Sequence, residues 1–248
     1  EEPHIVPDPQ RLHGVNRLND RTFTIGLHRY LGEDYEFYTY PGVNVYQYQL
    51  HRMEPEYIPV TFVEFFYEKH FRDYSKDENT LLFNMIEEGK KYYFMQQVLP
   101  ETPAYMIMGF KQEEWELSEK FEFFVWQTLI ENELLYTNSL EEIKWYVGEG
   151  PNSRRMDDRL PGNIGSFIGW KIVEAYIENQ KERPGLDEIV ELSPNELFLG
   201  ARYDPDAPIM QQGRSAWIIR VGATVLLLSV VAGYIFYRKR KKKTSSDA

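Results

Sequence analysis

The residue types that most often carry enzymatic chemistry are scarce in this chain of 248 residues. It has no cysteine, which excludes a thiol nucleophile, a disulfide and any cysteine-ligated zinc or iron–sulfur site. Its five histidines leave little for a histidine-rich metal centre. The sequence also lacks the HExxH, GxSxG, GxGxxG and GxxxxGKS/T motifs. The sequence therefore contains none of the familiar motifs of hydrolases or nucleotide-binding proteins.

The remaining candidates for chemistry have simpler explanations. Paired carboxylates, such as Glu113–Glu114 and Asp157–Asp158, are expected to lie on a solvated face because acids are frequent throughout the chain. His70 is expected to be a hydrogen-bonded core or rim residue rather than a metal ligand. Gly165 and Gly169 form a G-x-x-x-G pattern that predicts close approach of two helices. The alternative for these glycines is an open cleft that holds an extended partner segment.

Hydrophobic periodicity predicts that a mainly α-helical body positions these residues, with a minor extended part near its N-terminus. Thr22–Ile25 alternates like a strand, and the tyrosine-rich stretch 35–48 is ambiguous. Helices are predicted after Pro59, after a cap at Asp77 or Asn79, over about 112–136, from Ser139 to Gly148, after Gly162 and after Ser193. Their expected inward residues are Phe62, Val63, Phe66, Tyr67, His70; Leu81, Leu82, Met85, Ile86, Gly89, Tyr92, Tyr93; Phe121, Phe124, Val125, Thr128, Leu129, Leu135; and Ile164, Ile168, Ile172, Val173, Tyr176, Ile177.

Charge is distributed unevenly along the chain. All but one of its 39 acidic residues precede residue 214, whereas a basic run, Arg238 to Lys243, lies near the C-terminus. The acidic body would be repelled by nucleic acid, so nucleic-acid binding is excluded. The composition is also too aromatic, at 15%, for a disordered chain.

The C-terminal region predicts a single transmembrane helix over residues 217–237. Residues 221–237 carry no charge, and 21 helical residues span about 31 Å, which matches a hydrocarbon core of about 30 Å. The basic run that follows marks the cytoplasmic side, and the alternative, a buried core helix, does not explain it. The residues expected to fix the anchor are Trp217, Arg220, Tyr234, Tyr237, Arg238, Lys239 and Arg240.

This topology places the acidic body outside the cytoplasm, held by a single-pass anchor at its C-terminal end. No signal peptide is visible at the start of the sequence, and we expect that one was removed before Glu1. The predicted organisation is an extended lead-in (1–20), a folded domain outside the cytoplasm (21–203), a linker (204–216), the membrane helix (217–237) and a cytoplasmic tail (238–248).

Several runs in the body resemble the gliding-motility lipoprotein GldB family. They are YLGEDYEFY (30–38), NMIEEGKKYYFMQQVLPE (84–101), ELLYTNSLEEIKWYV (133–147), PGNIGSFIGWKIVEAYIEN (161–179) and ELFLGARYDP (196–205). The resemblance covers roughly residues 20–205 in the family's order. It implies a role in gliding motility and the linked type IX secretion machinery, with other envelope proteins as partners. It also implies that the domain 21–203 lies in the periplasm of a bacterium, at the inner membrane. Family members carry an N-terminal lipidated cysteine, which this chain lacks.

The family is similar in turn to zinc metallopeptidases of the gluzincin type, which implies a peptidase-like helical domain. Glu88–Gly89 resembles the Glu–Gly of those enzymes, and Gly165, Gly169 and Tyr176 resemble their G-x-x-x-G helix pattern. The resemblance implies that the helix of Gly165 and Gly169 packs closely on the helix that carries Glu88. Where the HExxH helix would lie, the nearest match is Val63 to Tyr67, which retains Glu64 but has Val63 and Tyr67 in place of the two histidines. Catalytic zinc needs three protein ligands and a water, so we expect no metal, no cofactor and no catalytic residues.

The resemblance favours a non-catalytic envelope component that acts by protein–protein interaction. Its candidate binding residues, in the vestige of the peptidase cleft, are Glu64, Tyr67, Glu88, Gly89, Gly165, Gly169 and Tyr176. The alternatives are a membrane-anchored zinc-dependent peptidase with unrecognised ligands, and a generic binding module in an unrelated membrane complex.

Overall fold

A computed structural model of the chain describes residues 15–19, 22–40, 43, 45–72, 79–153 and 155–205. The chain divides into a compact unit that ends at Tyr203 and a second unit from Asp204 to Ala248. The predicted membrane helix, its anchor residues and the basic tail lie outside the described residues. Among the residues that are described, no helix is both long enough and apolar enough to cross a bilayer.

The described part of the compact unit is mainly α-helical, as predicted, with a two-stranded hairpin at its start. The elements are β1 Val15–Asn19, β2 Thr22–Ile25, α1 Ile58–His70, α2 Leu81–Val98, α3 Ala104–Met108, α4 Gln112–Glu131, α5 Leu140–Val147, α6 Ile164–Glu178, α7 Leu186–Glu191 and α8 Pro194–Ala201. Short 3₁₀ turns at Leu27–Arg29, Glu36–Thr39, Gln47–Arg52 and Pro55–Tyr57 lie in the connection between the hairpin and α1. Two of these turns fall in the described part of the tyrosine-rich stretch 35–48.

The hairpin rests on α1 through an aromatic contact. β1 and β2 pair antiparallel, with Val15 opposite Ile25. The Phe23 ring packs edge-on against the rings of Phe62 and Phe65 at centroid distances of 5.4 and 6.0 Å. Thr22–Ile25 is a strand as predicted, but regular structure begins at Val15, inside the segment predicted to be an extended lead-in.

Helix α2 is the central element of the compact unit. Its residues are buried from Leu81 to Met95 except for Phe83 and Asn84, which are half-buried. A helix buried on every side must neutralise its own charged residues, because an unpaired buried charge is costly. The predicted caps were wrong: the side chain of Thr80 caps the helix by accepting the backbone N–H of Phe83. Asn79 instead accepts a bond from the Asn84 amide, and Asp77 lies outside the described residues.

Helices α2 and α6 form the most extensive helix–helix interface among the described elements, and glycines make it possible. A Cβ on Gly169 would lie 1.7 Å from the Met85 carbonyl oxygen, and one on Gly89 would lie 2.3 Å from the Gly169 carbonyl. Neither helix backbone leaves room for even a methyl group. The prediction of a close approach is confirmed for Gly169, and this interface is closed rather than an open cleft.

The other predicted helices are present, but some of their ends and buried faces differ from the prediction. Helix α5 is capped by Ser139, and α8 has the predicted capping box from Ser193. Helix α4 ends at Glu131, earlier than predicted, because Glu133 adopts a left-handed conformation with φ of 54°. Phe124 was wrongly placed inward: it is 44% exposed, because the buried face of α4 follows the line of Ser118, Val125, Trp126 and Leu129.

Replacing Gly169 by Ala should destabilise the domain strongly, because the new methyl group would overlap the backbone of α2. We expect a loss of about 1–3 kcal/mol or more in the free energy of unfolding, measured by urea denaturation. Gly150→Ala is the matched control, since a Cβ there would meet only the Asn152 carbonyl oxygen, at 3.8 Å. Equal midpoints for the two variants would contradict the closed interface.

Candidate functional site

The middle of α2 and the C-terminal part of α1 bring together five charged side chains, which we call the charge cluster. They are Glu64, Glu68, Arg72, Glu88 and Lys91. Residues 64, 68 and 72 are four apart and so follow one face of α1 and its C-terminal extension, while residues 88 and 91 are three apart on α2. Two cations thus lie among three carboxylates at the contact between these helices.

Glu88 and Lys91 form the buried centre of the charge cluster. The two Glu88 carboxylate oxygens contact separate cations: Oε1 lies 2.5 Å from the Arg72 guanidinium and Oε2 lies 2.7 Å from Lys91 Nζ. Lys91 Nζ also lies 3.1 Å from a Glu64 oxygen and 3.4 Å from a Glu68 oxygen. The Lys91 ammonium therefore has a carboxylate oxygen from each of three acids within 4 Å.

Mutual pairing keeps the central groups ionised despite their burial. Burial raises the pKa of the Glu88 carboxyl, but the charges of Lys91 and Arg72 outweigh it and hold that pKa below its ordinary value. Burial lowers the pKa of the Lys91 ammonium, but Glu88 and other acids hold it well above its ordinary value. Glu64 has the most exposed side chain of the cluster, at 43%, so the cluster reaches the surface through it.

The structure brings only some of the predicted site residues together. Glu64 and Glu88 are both in the charge cluster. Tyr67 lies beside them on α1 but points into an aromatic group, with its ring 5.3 Å from that of Phe94. Gly89 lies against Gly169 at the α2–α6 interface.

The last two predicted site residues lie elsewhere. A Cβ on Gly165 would meet the Tyr146 carbonyl oxygen at 2.8 Å. This glycine therefore allows the close approach of α5 rather than of α2, contrary to the prediction. The Tyr176 ring packs on Gly200 of α8. His70, expected to be a core or rim residue, is exposed, and its ring lies 4.5 Å from the Phe66 ring in a tilted arrangement. Gly165 and Tyr176 thus lie at the contacts of α6 with α5 and α8, not at the contact of α1 with α2.

The charge cluster does not suit a zinc ion. Zinc in enzymes is held mainly by imidazole nitrogens, with carboxylates as additional ligands, and the cluster contains no histidine. The Lys91 ammonium already lies among the carboxylates that would have to ligate a metal. Within the described ranges, no group of three or more histidine, aspartate or glutamate residues has metal-binding geometry.

A second buried ion pair lies one residue away on α2. Lys90 is completely buried, and its ammonium donates to the Glu87 carboxylate at 2.9 Å. It also donates to the carbonyl of Val190 at 3.3 Å and to that of Leu192. Lys90 thereby holds the connection between α7 and α8 against the central helix.

Sequence reasoning missed Lys91 of the Glu88–Lys91 pair and both residues of the Glu87–Lys90 pair. The segment Glu87-Glu88-Gly89-Lys90-Lys91 places each acid three residues before a lysine, which is the spacing of helical ion pairs. This spacing can be read from the sequence, but the burial of these charged residues cannot. The contribution of Arg72 depends on the packing of α1 against α2 and has no local signal.

A comparison with protein-family models identifies the relatives of this chain. The model described as gliding motility protein GldB matches residues 10–205. The chain belongs to the GldB family. This family is one of gliding-motility lipoproteins of the cell envelope, so membership implies a role in gliding motility. No curated protein and no solved structure matches the sequence.

Substituting Lys91 by Met should destabilise the domain, because the buried Glu88 carboxylate would lose one of its two cations and Glu64 would lose its contact with Lys91. We expect a loss of about 3 kcal/mol in the free energy of unfolding, measured by urea denaturation. Lys171→Met is the matched control: Lys171 forms an equally spaced pair with Glu174, but both side chains are partly exposed. Its loss should stay below about 1 kcal/mol. Equal losses in the two variants would show that the charge cluster is not energetically special.

Proposed function

We propose that this GldB-family chain is a non-catalytic accessory component of a gliding-motility and type IX secretion machinery, which acts by binding other envelope proteins. Family membership supports the association with motility. The observation that carries the non-catalytic assignment is the position of Lys91, whose ammonium lies 2.7 Å from Glu88 and 3.1 Å from Glu64. An internal cation neutralises the carboxylates that a peptidase would use for a metal and a water.

We further propose that the domain retains a peptidase-like scaffold. Glu64 and Glu88 come from two neighbouring helices and converge on one cation, as a glutamate beside the metal and a glutamate ligand would in an active enzyme. In this chain an ammonium and a guanidinium occupy that meeting point. The scaffold then serves to present a surface to a partner protein.

Residues 217–237 are proposed to anchor the domain to the inner membrane, with the acidic domain in the periplasm and the C-terminus in the cytoplasm. The uncharged stretch and the basic run after it support this topology. The anchor would hold the domain close to the bilayer through the short linker 204–216.

Glu64→Gln tests whether catalysis contributes to function. Glu64 is the residue that would serve as general base in a peptidase, and it is exposed enough for its isosteric replacement to fold. We expect a strain that lacks its own gene to recover full gliding and secretion with this variant. Glu113→Gln, an exposed carboxylate on α4, is the matched control. Cross-linking on the tagged full chain should recover the same envelope proteins with either variant.

A peptidase would give a different pattern. If Glu64→Gln abolished gliding at normal protein levels while Glu113→Gln restored it, the non-catalytic assignment would be wrong. Unchanged cross-linked partners in such a strain would locate the failure in catalysis rather than in assembly.

A further inference from the structure

A small internal cavity lies between the Gln47–Arg52 turn and the start of α6. Its volume is about 10 Å³, and its walls include His51, Arg52 and Asn163. A buried water molecule needs roughly 10–15 Å³ of such space, whereas pockets for organic ligands are far larger, at about 300 Å³ or more. The cavity therefore has the size of a single water, and the chemistry of its walls decides what it can hold.

Two buried polar atoms of the cavity wall make no hydrogen bond within the part of the chain that the structure describes. They are His51 Nδ1 and Asn163 Oδ1. A buried polar atom without a partner costs free energy, and such atoms are rare in folded proteins. Bulk solvent does not reach either atom, so the partner that each requires has to lie inside the cavity.

Both atoms are hydrogen-bond acceptors. His51 Nε2 lies 3.1 Å from the Gly109 carbonyl oxygen, which can only accept, so Nε2 carries the proton and Nδ1 of the neutral ring does not. Burial and the neighbouring Arg52 charge lower the pKa of His51, which favours this neutral ring. The Asn163 Nδ2 donates to the Tyr92 hydroxyl at 3.0 Å, which leaves Oδ1 as the unbound atom of the amide. The partner of these two atoms therefore has to supply two donors.

The charges beside the cavity favour a neutral partner. A cation would lie next to the Arg52 guanidinium, which is part of the cavity wall. An anion would bring a further acceptor to two acceptors. The local charge is already balanced by Glu149, whose two oxygens accept bonds from Arg52 and Gln49, each at 2.7 Å.

The backbone of Asn163 supports a role for its side chain. This residue precedes α6 with φ of 64°, in the left-handed region where glycine is the least strained residue. Its side chain is nevertheless kept and is almost completely buried, with the residue only 7% exposed. The bond to Tyr92 uses only the donor half of the amide. Hydrogen bonding of the acceptor half would offset the remaining cost of burial.

We propose that the cavity binds one internal water molecule, which donates one hydrogen to His51 Nδ1 and the other to Asn163 Oδ1. Water is neutral, fits the volume and has the two donors that these atoms require. Arg52 has N–H groups beyond those that bind Gly109 and Glu149, and one of them can donate to the water oxygen. The water then makes about three hydrogen bonds, as buried waters typically do. This proposal goes beyond the proposed function and does not depend on it.

The proposed water connects parts of the chain that are distant in sequence. It joins His51, in a turn before α1, to Asn163 before α6, and through Asn163 to Tyr92 of α2. Arg52 makes direct bonds in the same region, to Gly109 at 2.8 Å and to Glu149 at 2.7 Å. The water thus completes a hydrogen-bonded network that holds the Gln47–Arg52 turn against the helices.

A crystal structure of the full chain, at a resolution that shows ordered water, tests the proposal. We expect one water peak at about 2.7–3.2 Å from both His51 Nδ1 and Asn163 Oδ1. In His51→Gln the new amide can still donate to the Gly109 carbonyl but has no acceptor at the position of Nδ1. We expect this variant to lose the water peak and its melting temperature to fall by about 2–4 °C. His28→Gln is the matched control, because His28 is exposed and its replacement should leave the melting temperature unchanged.

Three crystallographic results would overturn the proposal: no water within hydrogen-bond distance of both atoms, a direct hydrogen bond between the Asn163 amide and His51 Nδ1, or an ion in place of the water. A His51→Gln variant that keeps both the water peak and the melting temperature would also overturn it, because His51 would then not be a ligand of the water. None of these results would affect the Glu64→Gln test of the proposed function.

Discussion

Backbone contact between α2 and α6 is the constraint on which the described domain depends. At Gly89 and Gly169 the two helices approach so closely that neither position has room for a Cβ. Glycine within a helix costs roughly 0.5–1 kcal/mol relative to alanine, and the packing of two apolar helix faces offsets that cost. Because α6 covers one side of α2 and other helices cover the rest, α2 becomes a core helix along most of its length.

Burial of α2 determines what its charged residues can do. Glu87, Glu88, Lys90 and Lys91 flank Gly89 and are withdrawn from water together with it. Each acid pairs with a lysine three residues later on the same helix. One pair holds the α7–α8 connection, and the other meets α1 at Glu64 and Arg72. Because buried charges must be neutralised, α2 carries both the Glu87–Lys90 pair, which holds the α7–α8 connection, and the charge cluster, which is the candidate site.

Internal neutralisation connects the fold to the proposed function. In the peptidase-like scaffold that we propose, an ammonium and a guanidinium in place of a metal keep the carboxylates paired but supply neither a Lewis acid nor an activated water. A charge cluster of this kind can stabilise the contact of two helices without chemistry. In the proposed function the domain therefore acts through its surfaces, which is consistent with membership of a family of motility components.

The sequence was most informative where a local pattern decides the structure. Period and capping signals correctly predicted the Thr22–Ile25 strand, the helix after Ser139 and the helix after Ser193. The placement of Phe124 failed because adjacent hydrophobic residues on α4 leave the buried face undetermined until α6 and α8 pack against it. Helix α7 was missed since it has only six residues.

The candidate site was predictable only in part. Glu64 and Glu88 were named from the family resemblance, whereas Arg72, Glu68 and Lys91 were not. Lys91 stands at ion-pair spacing from Glu88 on α2. The contacts of Arg72 and Glu68 with α2 instead arise from the approach of α1, which no spacing along the chain specifies. Gly165 was assigned to the wrong partner for the same reason: a glycine pattern predicts a close approach but not which helix makes it.

Zinc content is the measurement that tests the central claim most directly. The full chain, purified without chelator and dialysed against a slight molar excess of zinc and then against buffer, should retain far less than one zinc per chain in elemental analysis. Lys91 and Arg72 predict this result because they already neutralise Glu88. One zinc per chain that is lost in Glu88→Gln would contradict the account and would establish a metal site where we place an internal ion pair.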